Sequence, residues 1–166
     1  MKTVTEIKEL YEKDYYSWTQ EMARALSEHR TDDIDFENLA EEVGDLGKAE
    51  KRALKSQLER LIAHLLKWTF TDKTGHAGSW YSTIQNAREE IQDILDENPG
   101  LKPLLKDLYK ASYRKGVSWA GSETNQYPDC FPVKCPWTLE QVTDSEFFPE
   151  NAPPATGKKT FDSGHR

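Results

Sequence analysis

The sequence predicts an all-α protein, a four-helix array around one long central helix at about residues 36–70, closed by a proline- and aromatic-rich C-terminal arm. Three observations carry this. Helix formers (Leu, Ala, Glu, Lys, Gln, Arg) dominate residues 6–121, while Val and Ile are scarce. Apolar residues recur every three or four positions rather than alternating. Charge is high and the apolar fraction low, at 31% and 36%, which suits amphipathic helices with one wet face and does not suit a buried parallel sheet.

The first helix is expected from about Thr5 to His29, with Tyr11, Tyr15, Trp18, Met22 and Ala25/Leu26 on one stripe. Arg30-Thr31-Asp32-Asp33 interrupts it, and Asp33 or Asp35 can cap the next helix. The stripe then resumes through Phe36, Leu39, Val43, Leu46, Ala49, Ala53, Leu54, Leu58, Leu61, Leu65 and Trp68. Gly44 and Gly47 lie inside this run, and each costs about 1 kcal/mol relative to alanine. A hairpin at the glycines would reset the helical phase. The phase is kept, so one helix to about Phe70 is expected, about 50 Å long.

Residues 72–78 form a loop by composition, and Ser79 is the expected cap of the next helix. That helix carries Trp80, Ile84, Ala87, Ile91 and Leu95 inward and stops at Asn98-Pro99-Gly100. Pro103 suits the first turn of a fourth helix, with Leu104, Leu105, Leu108 and Val117 inward and Gly121 at its end. Residues 122–150 hold four prolines among five large aromatics, so an arm packed across the helices is expected. Thr138 and Gln141 have the spacing of a capping box for a short helix at 138–142. The domain expectation is a single helical domain over residues 1–150, made of the array (5–121) and the arm (122–150). A disordered polar tail is expected over 151–166.

The formal net charge of −7 over 166 residues excludes broad coating of nucleic acid, leaving only a local basic patch for such a partner. No apolar run reaches membrane-span length, and the opening residues do not form a signal peptide. The expectation is a cytoplasmic protein with no membrane contact. Cys130 and Cys135 are too few for a disulfide scaffold and lack neighbours for a closed zinc site, so both are read as free thiols.

Several phrases occur together along the chain: Tyr11-Glu12-Lys13-Asp14-Tyr15-Tyr16-Ser17-Trp18, Phe36-Glu37-Asn38-Leu39-Ala40-Glu41-Glu42-Val43 and His64-Leu65-Leu66-Lys67-Trp68. Ser79-Trp80-Tyr81-Ser82-Thr83-Ile84, Arg88-Glu89-Glu90-Ile91, Asn98-Pro99-Gly100-Leu101 and Cys135-Pro136-Trp137-Thr138-Leu139 come after them in order. Over about residues 10–149 this series resembles the bacterial family catalogued as domain of unknown function 29, common in cyanobacteria. The paired glycines and the polar tail depart from it. The resemblance implies an all-α bacterial protein and carries over no activity and no catalytic residues.

Two polar constellations stand out. Arg60, His64 and Lys67 share one flank of the long helix at i, i+4 and i+7, beside Trp68. An antiparallel next helix would set Arg88 level with Arg60 and Trp80 level with Trp68. Positive charge beside two indoles is a candidate ligand-binding ridge for a phosphate, a carboxylate or an unstacked base. The competing reading pairs these cations with acids such as Glu6, Glu9 or Glu89 and makes the tryptophans core. It is the favoured one.

The second constellation is acidic: Glu42 with Asp45, and Glu90 with Asp93, at a spacing that suits a divalent cation. Glu42 lies about 140° from the stripe and is expected to face solvent. The two pairs also fall at different heights, so no metal site is expected. The Arg24-x4-His29 spacing of some helical ribonucleases is a weak match at a helix end. No phosphate loop, nucleophile–base pattern or zinc helix is present, so no cofactor is expected. The sequence therefore favours a non-catalytic interaction or adaptor module that meets a protein or a second copy through the long helix. The alternative is a nucleotide- or nucleic-acid-processing enzyme at His64, with or without a divalent metal.

Overall fold

The computed structural model of the chain describes residues 3–153. Among the described residues there are six α-helices, α1 (Val4–Lys13), α2 (Tyr15–Ser27), α3 (Phe36–Phe70), α4 (Ala77–Glu97), α5 (Leu105–Thr124) and α6 (Leu139–Thr143), and no strand. The fold class is all-α with α3 as the long central helix. The chain divides into two compact units, residues 1–49 and 50–166, and α3 belongs to both. The tail expected over 151–166 lies outside the described residues from position 154 onward. Ala152, before that point, donates its N–H to the Thr69 carbonyl at 2.8 Å.

The first unit corrects one expectation. The helix predicted over Thr5–His29 is two helices, broken at Asp14. The Asp14 carboxylate accepts from the Ser17 N–H at 3.1 Å and from its hydroxyl at 2.6 Å, which caps α2 and leaves Asp14 outside the helical region. The break folds α1 back, so that Ile7 joins Trp18, Met22, Ala25 and Ile34 in a small core. α2 ends in a Schellman arrangement with His29 at φ 56°. Arg30 donates to the Ala25 carbonyl at 2.9 Å and His29 to Leu26 at 3.2 Å. Asp35 is the cap of α3: its carboxylate accepts from the Asn38 N–H and from the Trp18 indole, and the residue is fully buried. Asp33 binds Arg30 instead.

α3 is uninterrupted over 35 residues, so neither glycine breaks it. From Leu54 onward its stripe is core: Leu54, Leu58, Leu61, Ile62, Leu65 and Leu66 pack with Ile84, Ala87, Ile91 and Leu95 of α4 and Leu108 and Ala120 of α5. A Cβ on Gly116 would stand 2.6 Å from Ile62 Cγ2, so the absence of a side chain there sets the close approach of α5 to α3. α4 starts two residues before Ser79, with His76 at its cap position. The stretch around Pro103 forms a 3₁₀ run (Pro99–Leu104), and the regular helix begins only at Leu105. Proline cannot donate, which suits this looser turn. α5 passes through Gly121 and stops at Asn125, whose φ of 53° is the left-handed stop.

The arm packs as expected. Phe131, Cys130 and Val142 join the core of the second unit, and the Thr138–Gln141 capping box starts α6. An extended, proline-broken segment has carbonyls that no helix or sheet satisfies, and buried carbonyls need donors. Side chains of the helices supply them. Tyr109 donates to Trp137 O at 2.7 Å, Tyr113 to Pro132 O at 2.6 Å, and Trp68 to Pro149 O at 3.2 Å.

Candidate functional site

The predicted ridge is not one site. Its members divide between two places within the second unit, and neither is an open row of free cations.

His64, Lys67 and Trp80 come together where α3 faces α5. His64 Nδ1 lies 2.9 Å from the Arg60 carbonyl, an interaction that requires the proton on Nδ1. Nε2 is then an acceptor, and Lys67 Nζ donates to it from 3.1 Å. Lys67 also binds Glu123 Oε2, and its ammonium stands 5.1 Å from the centre of the Trp80 ring. Glu123 takes a second bond from the Trp119 indole N–H. Lys67 is only 3% exposed, so a buried cation is matched by a carboxylate, an imidazole and an indole face. Burial is the main cause that lowers the His64 pKa, with Lys67 adding to it, so the ring is held neutral. For Glu123 burial acts upward, but the bonds from Lys67 and Trp119 outweigh it and the net shift is downward.

The acid that pairs with Lys67 is Glu123, not the Glu6, Glu9 or Glu89 that the sequence suggested. The contact joins α3 to α5, so helical spacing on α3 alone gave no sign of it. Beside the network lies a concavity of about 560 Å³ walled by Lys67, Asp72, His76, Trp80 and Glu123. The His76 imidazole stacks on Trp80 at 5.2 Å and 9°. Arg60 is exposed and contributes its backbone to His64.

Arg88 and Trp68 belong to the second place, where the arm is held. Arg88 is 5% exposed. Its Nε donates to Val142 O at 2.8 Å, Nη1 to Ser145 O at 3.3 Å and to Gln85 Oε1 at 3.1 Å, and Nη2 to Phe147 O at 2.7 Å. Its plane also stands over Phe148, 5.1 Å from the ring centre. Burial lowers its pKa, yet a guanidinium stays charged in proteins. Trp68 packs on Phe148 at 5.1 Å and carries the Lys73 ammonium at 4.1 Å. The expected levels of Arg88 with Arg60, and of Trp80 with Trp68, therefore do not make a shared pocket. Arg88 and Trp68 fasten the arm.

The acidic candidates also part. Glu42 does not face solvent as expected. It is half-buried in the first unit, where Tyr11 and Tyr15 donate to its two oxygens at 2.7 Å each. Those bonds are the main reason both phenols have raised pKa values. Asp45 bridges to Lys48 at 2.8 Å. Glu90 and Asp93 are exposed on α4. Among the described residues no three His, Cys, Asp or Glu side chains are grouped to hold a metal ion.

The remaining candidates are structural. His29, from the Arg24-x4-His29 match, is the left-handed stop of α2, and Arg24 pairs with Glu28 at 3.3 Å. Cys130 is buried and Cys135 half-buried. Cys135 lies 2.8 Å from the Tyr109 hydroxyl, and burial raises its pKa and keeps it protonated. A groove of about 730 Å³ between α5 and the arm is lined mainly by apolar side chains, among them Val117, Phe131 and Val133, with Arg114 and Asp129 also on its wall.

The arm-fastening set, Trp80 and the tyrosines of the first unit all fall within one recognised segment: the family model described as Domain of unknown function DUF29 matches residues 10–148. The chain belongs to the DUF29 family. The match covers the end of α1, all of α2 to α6 and nearly all of the arm, so the Arg88 contacts lie inside the family's domain. A search of curated proteins and a search of solved structures each find no match. No helix among the described residues is long and apolar enough to cross a membrane.

One further feature belongs to the site's geometry. The N-terminal part of the α3 stripe is not core. Phe36, Val43 and Leu46 are 63%, 61% and 69% exposed, while Leu39 beside them packs on the small core of the first unit.

Proposed function

We propose that this DUF29 chain is a non-catalytic interaction module, and that it meets its partner through the exposed face of α3. The observation that carries this reading is the row Phe36, Val43 and Leu46, three large apolar side chains left in water along the N-terminal turns of one helix. At about 25 cal/mol per Å² of apolar area removed from water, covering such a row supplies binding energy. A single helix face of this kind is suited to receive another helix.

The alternative, a nucleotide- or nucleic-acid-processing centre at His64, has less support. Both ring nitrogens of His64 are engaged, Lys67 is matched by Glu123, and Arg88 is spent on the arm. A general base needs a free lone pair within reach of a substrate proton. His64 directs its lone pair at Lys67.

The test is a photo-crosslinking amino acid placed at Val43 and irradiated in cells of the source organism. The expected result is a discrete crosslinked protein, absent when the same group replaces exposed Lys102 on the Pro99–Leu104 turn. Absence of any discrete product at Val43, Phe36 and Leu46 alike overturns the reading.

A further inference from the structure

Resting on that reading, we infer that the partner of the α3 face is a second copy of the same chain, lying antiparallel with a two-fold axis close to Gly44.

Charge along α3 is the first argument. At about 100° per residue, Phe36, Ala40, Val43 and Gly47 fall within about 60° of arc, and Glu37, Glu41, Lys48 and Lys51 form the adjoining edge. That edge is acidic before Gly44 and basic after it. In an antiparallel helix pair like edges meet. A two-fold axis near residue 44 therefore sets Glu37 against Lys51 of the second copy and Glu41 against Lys48, and each contact occurs twice. A parallel pair would instead set this edge against the opposite edge of the second copy, so the two glutamates would not meet the two lysines. The pattern selects one orientation and one register.

The glycines are the second argument. Gly44 and Gly47 have ordinary helical backbone and nothing within 4 Å of the position a Cβ would take. Among the described residues they serve no turn and no close approach, yet each costs about 1 kcal/mol in a helix. At a two-fold axis they have a use, because small residues let two helix backbones approach closely while Phe36 and Val43 pack to either side. The edge charges are free to exchange partners. Lys48 now bridges Asp45 and Glu37 binds Lys8, both as exposed surface pairs of little worth.

The experiment is a charge exchange followed by sedimentation. One variant carries Lys48→Glu and Lys51→Glu, the other Glu37→Lys and Glu41→Lys, and circular dichroism checks that both remain helical. The wild-type chain is expected to sediment as a dimer at micromolar concentration. Each variant alone is expected to dissociate, its dimer constant weakened by about tenfold or more, while an equimolar mixture restores a heterodimer. A wild-type chain that stays monomeric at millimolar concentration overturns the inference. So does a dimer that both variants leave intact, because its interface then lies elsewhere. Failure here is distinguishable from failure of the interaction reading: a monomer that crosslinks at Val43 to a different protein keeps the reading and removes the second copy.

Discussion

His64 shows how little room a side chain has once its hydrogen bonds are assigned. With Nδ1–H given to Arg60 O and Nε2 accepting from Lys67, a second proton would have to displace Lys67. The folded pKa is lowered below its ordinary 6.5, so the unfolded chain binds the proton more readily. The His64 contribution is complete above about pH 6.5 and declines as pH falls from there towards the depressed folded value. Melting temperature measured from pH 7.5 down to 5 should fall, and His64→Gln should flatten the part of that slope due to this ring. An unchanged slope in the variant would remove the assignment.

His29 supplies a second test at this scale. It occupies a left-handed conformation that costs an L-residue about 1 kcal/mol, and glycine carries no such penalty. His29→Gly should raise stability by about 0.5–1 kcal/mol in urea unfolding, or at least not lower it. A clear loss would mean that the imidazole makes a contact of its own. Sequence alone placed His29 in a weak catalytic match because the spacing from Arg24 is visible, whereas a positive φ is not.

Among the elements, α3 was legible nearly to the residue because its stripe keeps phase from Phe36 to Trp68, and phase is a property of one segment. α1 and α2 were not separated for the same reason. Tyr11, Tyr15 and Trp18 keep helical spacing across Asp14, and only the cap on Ser17 reveals the break. The Thr138–Gln141 box was read correctly because both partners sit three residues apart. The Lys67–Glu123 pair is 56 residues apart and could not be read from spacing at all. Gly116 was missed likewise, since its role depends on Ile62 of another helix. Gly116→Ala should destabilise the chain by about 1–3 kcal/mol through overpacking. Gly44→Ala with Gly47→Ala should instead stabilise the isolated chain, by about 1–2 kcal/mol together, while weakening self-association. Opposite signs for chemically identical changes, read by thermal and denaturant melts, separate a packed glycine from an open one.

For the molecule as a whole, the two units differ in how much core they own. The first is built on Ile7, Trp18, Met22, Ala25 and Ile34, whereas the second gathers residues from three long helices and the arm. Native-state hydrogen exchange should therefore show amides of α1 and α2 opening at lower free energy than those of α3 beyond Leu54 and of α5. Equal protection in the two units would show that they open as one. Fold class, the long helix and the packed arm were all open to inspection in the sequence, because each is written in local periodicity or composition. The proposed ridge was not, because whether a cation is free depends on partners brought from other helices.

The way the arm is held has a consequence for how this family can vary. Arg88, Tyr109, Tyr113 and Trp68 bond the arm at carbonyl oxygens, which every residue possesses, and Phe148 is the arm ring that Arg88 and Trp68 also cover. An exposed position such as Ser145 can thus accept substitution without loosening these bonds, whereas arm residues in the core, such as Phe131 and Val142, cannot vary so freely. The donors are not free in that way. A change at Arg88 strands three arm carbonyls and the Gln85 amide oxygen together, and a change at Val142 must preserve only the volume it fills in the core. Relatives of this chain should accordingly keep the hands and vary the rope.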